Sequence, residues 1–290
     1  MLPLLRWLAR RPLWLVHGLG AWLGWLAYAL SPTYRSRLRR NAAQAGVDAR
    51  DRRAAVAEAG RMAAELPRLW LRPPAAPLPD PVRWDGDALL ERWLADGRGL
   101  LLLTPHLGSF EVAAQAYAER YGARQPVTVL YRPARKPWLR RLEETARARP
   151  GLATAPATLA GVRQLLRALR QGETVGMLPD QVPPAGMGVW APFFGRPAYT
   201  MTLAARLARQ TGAALGLIWC ERLPRGGGWV MHVQAIDDAQ ATSADEAEAA
   251  AAVNRAMEAM IRQRPAQYLW GYDRYKAPRP QRDAAREAAA

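Results

Sequence analysis

The chain has one cysteine, Cys220, three histidines and only two lysines, Lys136 and Lys276, in 290 residues. A single cysteine excludes an intrachain disulfide framework. Cys220 ends the apolar run that starts at Ala213 and reads as a small core residue rather than a nucleophile. The histidines lie far apart with no ligand spacing, which disfavours metal-dependent hydrolysis, so no metal is expected. No internal repeat is present. The shortage of lysine makes arginine the carrier of almost all positive charge, and 41 basic against 25 acidic residues give +16. Such a surface attracts polyanions, but the arginines are scattered among helical stretches with no recognised nucleic-acid motif, so no nucleic acid is expected as a partner.

What the chain does contain begins near its amino terminus. From Pro12 to Ser31 there are twenty residues without formal charge, among them Trp14, Trp22, Trp25 and Tyr28. That length suffices to cross a bilayer at about 1.5 Å per residue. Arg6, Arg10 and Arg11 precede it and Arg35, Arg37, Arg39 and Arg40 follow, so the positive-inside rule discriminates poorly. The tryptophans favour interfacial contact, and a tilted or re-entrant anchor competes with a full span. Ala27-Tyr28-Ala29 resembles a cleavage site, but the long tryptophan-rich stretch and the arginine cluster behind it argue against a signal peptide.

Ser36 to Leu71 reads as helical with a break near Gly46, and six prolines between Pro67 and Pro81 forbid regular helix there. Strand-like and helix-like runs then alternate from Gly99 to about Arg262. They predict an α/β fold with a mixed, mostly parallel sheet flanked by helices, and a hairpin formed by Leu215 to Arg222 and Gly228 to Ile236. The expected organisation is an anchor over 1–34, a helical segment and proline-rich connector over 35–81, a main domain over 82–276 and a disordered tail over 277–290. A helix near Trp138, Arg140 and Arg141 reads as an amphipathic basic patch or an ordinary solvated face.

The most informative segment is Thr104-Pro105-His106-Leu107-Gly108-Ser109-Phe110-Glu111, directly after the apolar run Gly99 to Leu103. Pro105 fixes the chain's exit from a buried strand, and Ser109 reads as the N-cap of a helix over Phe110 to Arg120. His106 thus falls at a strand's carboxyl end, the edge where open α/β sheets bind ligands. Glu111, in the first helical turn, can reach back to one imidazole nitrogen while the other takes a proton from a hydroxyl. His232 and Asp237 repeat the spacing inside a strand-like run, where residues five apart face opposite sides about 16 Å apart and cannot pair.

The segment resembles the signature of the lipid A biosynthesis (late) acyltransferases, within the lysophospholipid and glycerolipid acyltransferase superfamily: His, four residues, then Asp or Glu. The resemblance continues through Tyr131-Arg132-Pro133, Leu178-Pro179-Asp180-Gln181, Phe193-Phe194-Gly195 and Gln267-Tyr268-Leu269-Trp270, over roughly residues 1 to 276. It implies a glycerolipid acyltransferase-like fold in which His106, oriented by Glu111, deprotonates a lipid hydroxyl that attacks an acyl thioester. Backbone donors near Gly108, or Arg132, would stabilise the oxyanion. Arg132 would bind phosphate or position a carbonyl, Asp180 would hold Arg132 or His106 beside Gln181, and Phe193 and Phe194 would line the acyl pocket.

No cofactor is implied; the donor is a co-substrate, acyl carrier protein thioester or acyl-coenzyme A. The implied partners are a membrane lipid acceptor, acyl carrier protein and an anionic membrane surface. The implied location is the bacterial inner membrane, with the catalytic domain on its cytoplasmic face. After Trp270 the chain reads Gly271-Tyr272-Asp273-Arg274-Tyr275-Lys276, where lipid A enzymes commonly carry a more basic block beginning Ser-His-Arg-Arg. The acceptor therefore stays open between a lipid A precursor, a lysophospholipid and an amino-acid lipid. A non-enzymatic, membrane-anchored lipid-binding protein is the reading from another class.

Overall fold

The computed structural model describes residues 2–279 except 133 and 135; the side chains of 2–4, 137–139, 141 and 144 are outside the description. The expected tail falls outside it from residue 280 on, as do the side chains of Trp138 and Arg141 in the expected basic patch. Four helices come first: α1 Leu2–Ala9, α2 Leu13–Leu30, α3 Pro32–Gln44 and α4 Ala49–Trp70. Ser31 caps α3 at the amide of Tyr34, with Pro32 at the first helical position, and Asp48 caps α4 at the amide of Asp51. Pro67 lies inside α4 rather than ending it, since the helix runs on to Trp70.

The sheet then builds through β1 Val82–Asp85, α5 Asp87–Asp96, β2 Leu100–Leu103, α6 Phe110–Tyr121, β3 Val127–Tyr131, α7 Pro137–Arg147, β4 Leu152–Pro156, α8 Leu159–Arg170 and β5 Thr174–Met177. A two-stranded ribbon, β6 Gly188–Phe193 and β7 Arg196–Met201, interrupts it before α9 Leu203–Thr211, β8 Ala214–Arg222, β9 Trp229–Ala235 and α10 Glu246–Gln263. The seven strands lie in the order β1-β9-β8-β2-β5-β3-β4, and every pair is parallel except the β8-β9 hairpin. The fold is therefore the mostly parallel α/β sheet expected from the alternating pattern.

The four leucines of β2 divide between the two faces because successive side chains point to opposite sides. Leu101 and Leu103 join Val175, Leu217 and Trp219 under α8, α9 and α10, while Leu100 and Leu102 join Ile218 and Cys220 under α5 and α6. Cys220 is fully buried, as a core residue should be. Covered on both faces, β2 reads as a continuous apolar run.

Helix α2 is the one helix among the described residues long and apolar enough to cross a membrane, with mean hydropathy 1.3. It lies against the domain along α4. Gly20 and Gly24 on α2 meet Gly60 on α4 so closely that a Cβ at Gly60 would sit 2.0 Å from the Gly20 carbonyl oxygen. The opposite face of α2 leaves Trp14, Trp22, Trp25 and Leu30 exposed.

At this crossing a charged cluster is sealed from solvent. Arg222, at the end of β8, donates to Glu65 Oε1 at 2.6 Å and to Glu58 at 2.7 Å; His17 of α2 holds Glu65 at 2.7 Å. Ser109 Oγ donates to Glu65 Oε2 at 2.7 Å, and Arg222 reaches the Gly108 carbonyl at 3.2 Å. Burial alone would raise the Glu65 carboxyl, but the Arg222 guanidinium and the His17 and Arg222 hydrogen bonds hold it down to about 2.

Two outcomes follow for stability. Gly60→Ala forces the α2–α4 crossing apart and lowers the melting temperature by several degrees, whereas Gly18→Ala, with nothing within 4 Å of its Cβ, leaves it unchanged or higher. Glu65→Gln leaves Arg222 buried without its main counter-charge and costs about 3–5 kcal/mol in denaturant titration. Because the folded pKa is depressed, that stabilisation is full above pH 4.5 and fades as pH falls toward 2, so the gap between Glu65→Gln and wild type narrows in acid.

Candidate active site

Three adjacent strands, β2, β5 and β3, end on the same edge, and the chain leaving each carries one of the expected polar residues: His106, Asp180 with Gln181, and Arg132. The loop after β2 is held by its backbone. Thr104 donates to Met177, Gly108 to the Gln267 carbonyl at 3.0 Å and Ser109 to the Cys220 carbonyl at 2.8 Å, while Leu269 donates to the His106 carbonyl at 3.1 Å. Gly108 has φ +62, and a Cβ there would sit 1.9 Å from the Cys220 carbonyl oxygen, so only glycine lets the loop lie this close to β8. A strap over residues 265–276 closes the loop's other side, fastened by Asn41 of α3 to the carbonyls of Trp270 and Tyr272.

One buried carboxylate fixes the histidine twice. Asp180 Oδ1 lies 2.7 Å from His106 Nδ1, and Asp180 Oδ2 accepts the His106 backbone N–H at 2.9 Å. The clamp leaves Nε2 as the ring atom facing outward, where the Gln181 amide lies 3.0 Å away. With Asp180 accepting the Nδ1 proton, Nε2 carries the lone pair. Phe110 packs edge-on against the imidazole at 4.9 Å. Burial would raise the Asp180 carboxyl, but the adjacent imidazole and amide of His106 and the buried Arg274 guanidinium hold it below the usual carboxylate range. Tyr268 of the strap has its phenol pushed up by burial and by that carboxylate. Arg274 itself is tied to the Tyr199 carbonyl and Thr200 Oγ1, both at 2.7 Å.

Glu111 does not fill the position expected of it. Its Oε1 accepts from Arg147 of α7 at 2.5 Å and its Oε2 from the Trp70 indole at 3.2 Å, so the imidazole is oriented by Asp180 instead. The physical reason is that Nδ1 turns toward the end of β5, while the first turn of α6 faces α4 and α7. Of the two partners expected for Asp180, the structure shows His106. Arg132 is exposed at the end of β3 and makes no ion pair among the described residues.

The remaining expectations also shift. The amides of Gly108 and Ser109 are already engaged, so they are not free to bind an oxyanion. Ser109 begins α6 without a side-chain cap because its hydroxyl goes to Glu65. Phe193 and Phe194 are buried in the core against each other and Trp270 rather than lining an open pocket.

Arg147, Tyr268 and Arg274 are the site neighbours that sequence reasoning missed. Nothing near Arg147 in sequence marks it as the partner of a glutamate 36 residues earlier, although its place in the last turn of α7 is a weak signal. The spacing decoy behaves as strand geometry requires. His232 pairs with Asp85 and Glu221, both at 2.9 Å, and stacks on Trp219. Among the described residues no group of three or more histidines, cysteines or acids is placed to hold a metal ion.

Residues 2–277 match the family described as bacterial lipid A biosynthesis acyltransferase. The lipid A biosynthesis lauroyltransferase of Escherichia coli (strain K12) is 29% identical over 189 residues, 63% of this chain and 58% of that protein. The lipid A biosynthesis palmitoleoyltransferase of the same organism is 28% identical over 188 residues, 64% of this chain and 59% of its own length. A lipid A biosynthesis acyltransferase of Haemophilus influenzae is 26% identical over 181 residues, 62% and 55%. The match spans less than two thirds of each relative's length. With a parallel α/β sheet and a histidine clamped at its carboxyl edge, this chain belongs to the bacterial lipid A biosynthesis acyltransferase family.

Proposed function

We propose that this chain transfers a fatty acyl group from a thioester to a hydroxyl of a lipid A precursor, with His106 Nε2 as the base. The observation that carries the reading is the double clamp of His106 by Asp180, which fixes the Nδ1–H tautomer and leaves the Nε2 lone pair at the strand edge. The acceptor is taken from the family and from the printed functions of its relatives.

The steps balance without a covalent enzyme intermediate. The acceptor hydroxyl displaces the Gln181 amide from Nε2 and gives up its proton there as its oxygen attacks the thioester carbon. Asp180 stabilises the imidazolium through Nδ1–H. Arg132 and Arg147 are the cations available for the oxyanion or for an acceptor phosphate, and Glu111 acts by holding Arg147. Collapse of the tetrahedral intermediate breaks the C–S bond, and the departing thiolate takes the proton back from His106.

The donor proposed is acyl carrier protein, whose acidic surface suits a chain of net charge +16; coenzyme A, also anionic, is the second choice. The enzyme would work at the bacterial inner membrane, held by the exposed apolar face of α2, with its site toward the cytoplasm where the donor is made.

Acyl transfer from acyl carrier protein to a lipid A precursor tests the roles separately. His106→Ala lowers kcat about 10²–10⁴-fold. Asp180→Asn lowers kcat into the same range with little change in KM, because the imidazole loses the acceptor that sets its tautomer. Glu111→Gln loses less in kcat and raises KM, since it acts through Arg147. A full loss in Glu111→Gln beside near-normal Asp180→Asn would transfer the orienting role to Glu111. Wild-type turnover in His106→Ala would end the base assignment.

A further inference from the structure

At the N-terminal end of α4 lies a concavity, about 790 Å³, lined by Trp25 and Tyr28 of α2, Arg39 of α3 and Arg52 and Arg53 of α4, over Leu38 and Val56. Arg53 and Trp70 are 17 residues apart on α4, about 26 Å at the helical rise. None of the concavity's lining residues touches His106, Asp180, Gln181 or Glu111, so the groove is separate from the site.

The arginines of α3 divide by face. Arg37 and Arg40 turn to Asp273 of the strap, at 3.2 and 3.7 Å. Arg39 turns to the groove, where its Nε donates to the Tyr28 hydroxyl at 2.6 Å and its guanidinium lies over the Tyr28 ring. Arg35 covers the end of α2, donating to the Ala29 carbonyl at 3.1 Å. Arg52 donates to the Val47 carbonyl. None of Arg35, Arg39, Arg52 and Arg53 makes an ion pair among the described residues, and no carboxylate lines the groove. The Asp48 carboxylate is committed to the cap of α4, accepting the Asp51 amide.

A volume of this size fits part of a lipid-sized molecule. Trp25 belongs both to the groove and to the exposed apolar face of α2, beside Trp22, Leu26 and Leu30. Cations without counter-charges thus sit directly above a surface suited to acyl chains, the order of groups met on crossing from lipid head to tail.

We propose that this groove seats the phosphate of an anionic glycerophospholipid from the bilayer, between Arg39, Arg52 and Arg53, with its glycerol and first acyl carbons against Trp25, Tyr28 and Leu38. The bound lipid ties α2 to α3 and α4 and fixes the rotation of the domain on the membrane. The site does not depend on the chemistry at His106, so its failure and that of the acyl-transfer reading are separable.

Flotation of the full chain compares vesicles of phosphatidylcholine alone with vesicles of phosphatidylcholine and phosphatidylglycerol and with vesicles of phosphatidylcholine and lipid A precursor. The double variant Arg39→Gln/Arg53→Gln is set against Arg163→Gln/Arg167→Gln, which removes the same charge from the exposed face of α8. Two arginines near an anionic surface are worth roughly thirtyfold in partitioning. The groove variant is expected to lose about that factor on phosphatidylglycerol vesicles and nothing on phosphatidylcholine, while the α8 variant behaves as wild type. Equal losses in both variants would reduce the groove to diffuse surface charge, and no loss would overturn it. A loss confined to vesicles carrying lipid A precursor would assign the groove to the acceptor instead. Native mass spectrometry of the wild-type chain in detergent does not depend on how the variants fold. A retained phosphatidylglycerol adduct without a phosphatidylcholine adduct is expected, and equal retention of both overturns the proposal.

Discussion

The ion pair between Arg222 and Glu65 is the constraint around which the molecule is arranged. Two charges out of water are costly unless every remaining hydrogen-bonding position is filled, and here it takes four segments to fill them. Helix α2 supplies His17, α4 supplies Glu58, and the loop after β2 supplies the Ser109 hydroxyl and Gly108 carbonyl. Trp229 of β9 adds its indole N–H. Helix α2, the sheet and the histidine loop therefore cannot shift independently without stranding a charge, a connection an apolar core of equal volume would not enforce.

A second carboxylate does for the histidine what Glu65 does for the fold. Asp180 is almost fully buried, and it stays ionised there mainly through the imidazole and amide of His106, with the Arg274 guanidinium of the strap adding to them. The strap is held in turn by α3 through Asn41 and by the charge pairs of Arg37 and Arg40 with Asp273. Residues with no place in a local motif thus decide the ring's orientation.

The sequence is most legible where periodicity and burial agree. The β2 leucines, helix α6 and the β8-β9 hairpin lie close to where pattern predicts, because each buries a continuous apolar face. β1, α5, β4 and the β6-β7 ribbon are not anticipated. β1 and β4 are short edge strands with one neighbour each, and β6 and β7 set Pro192 opposite Pro197 in a ribbon whose free edges tolerate a missing N–H. At the site, His106, Asp180 and Gln181 are legible as residues following strands. Asp180 is open between Arg132 and His106 as its partner, and spacing along the chain offers Glu111 as the orienter; strand order, which brings β5 beside β2, puts Asp180 against the ring. The failed decoy at His232 teaches the same lesson: its partners come from neighbouring strands, not from five residues on.

The Gln181 amide resting on His106 Nε2 has a further consequence. An enzyme handling a thioester beside water competes with hydrolysis at every encounter, and a histidine with an open lone pair would activate water as readily as an alcohol. Here the lone pair is already occupied by a neutral donor. A single water would gain little by replacing that donor, whereas the proposed lipid acceptor, held by cations and apolar contacts, would bring enough binding energy to push it aside. On the proposed acyl-transfer reading, a preference for the bulky acceptor over water would rest on the position of one amide.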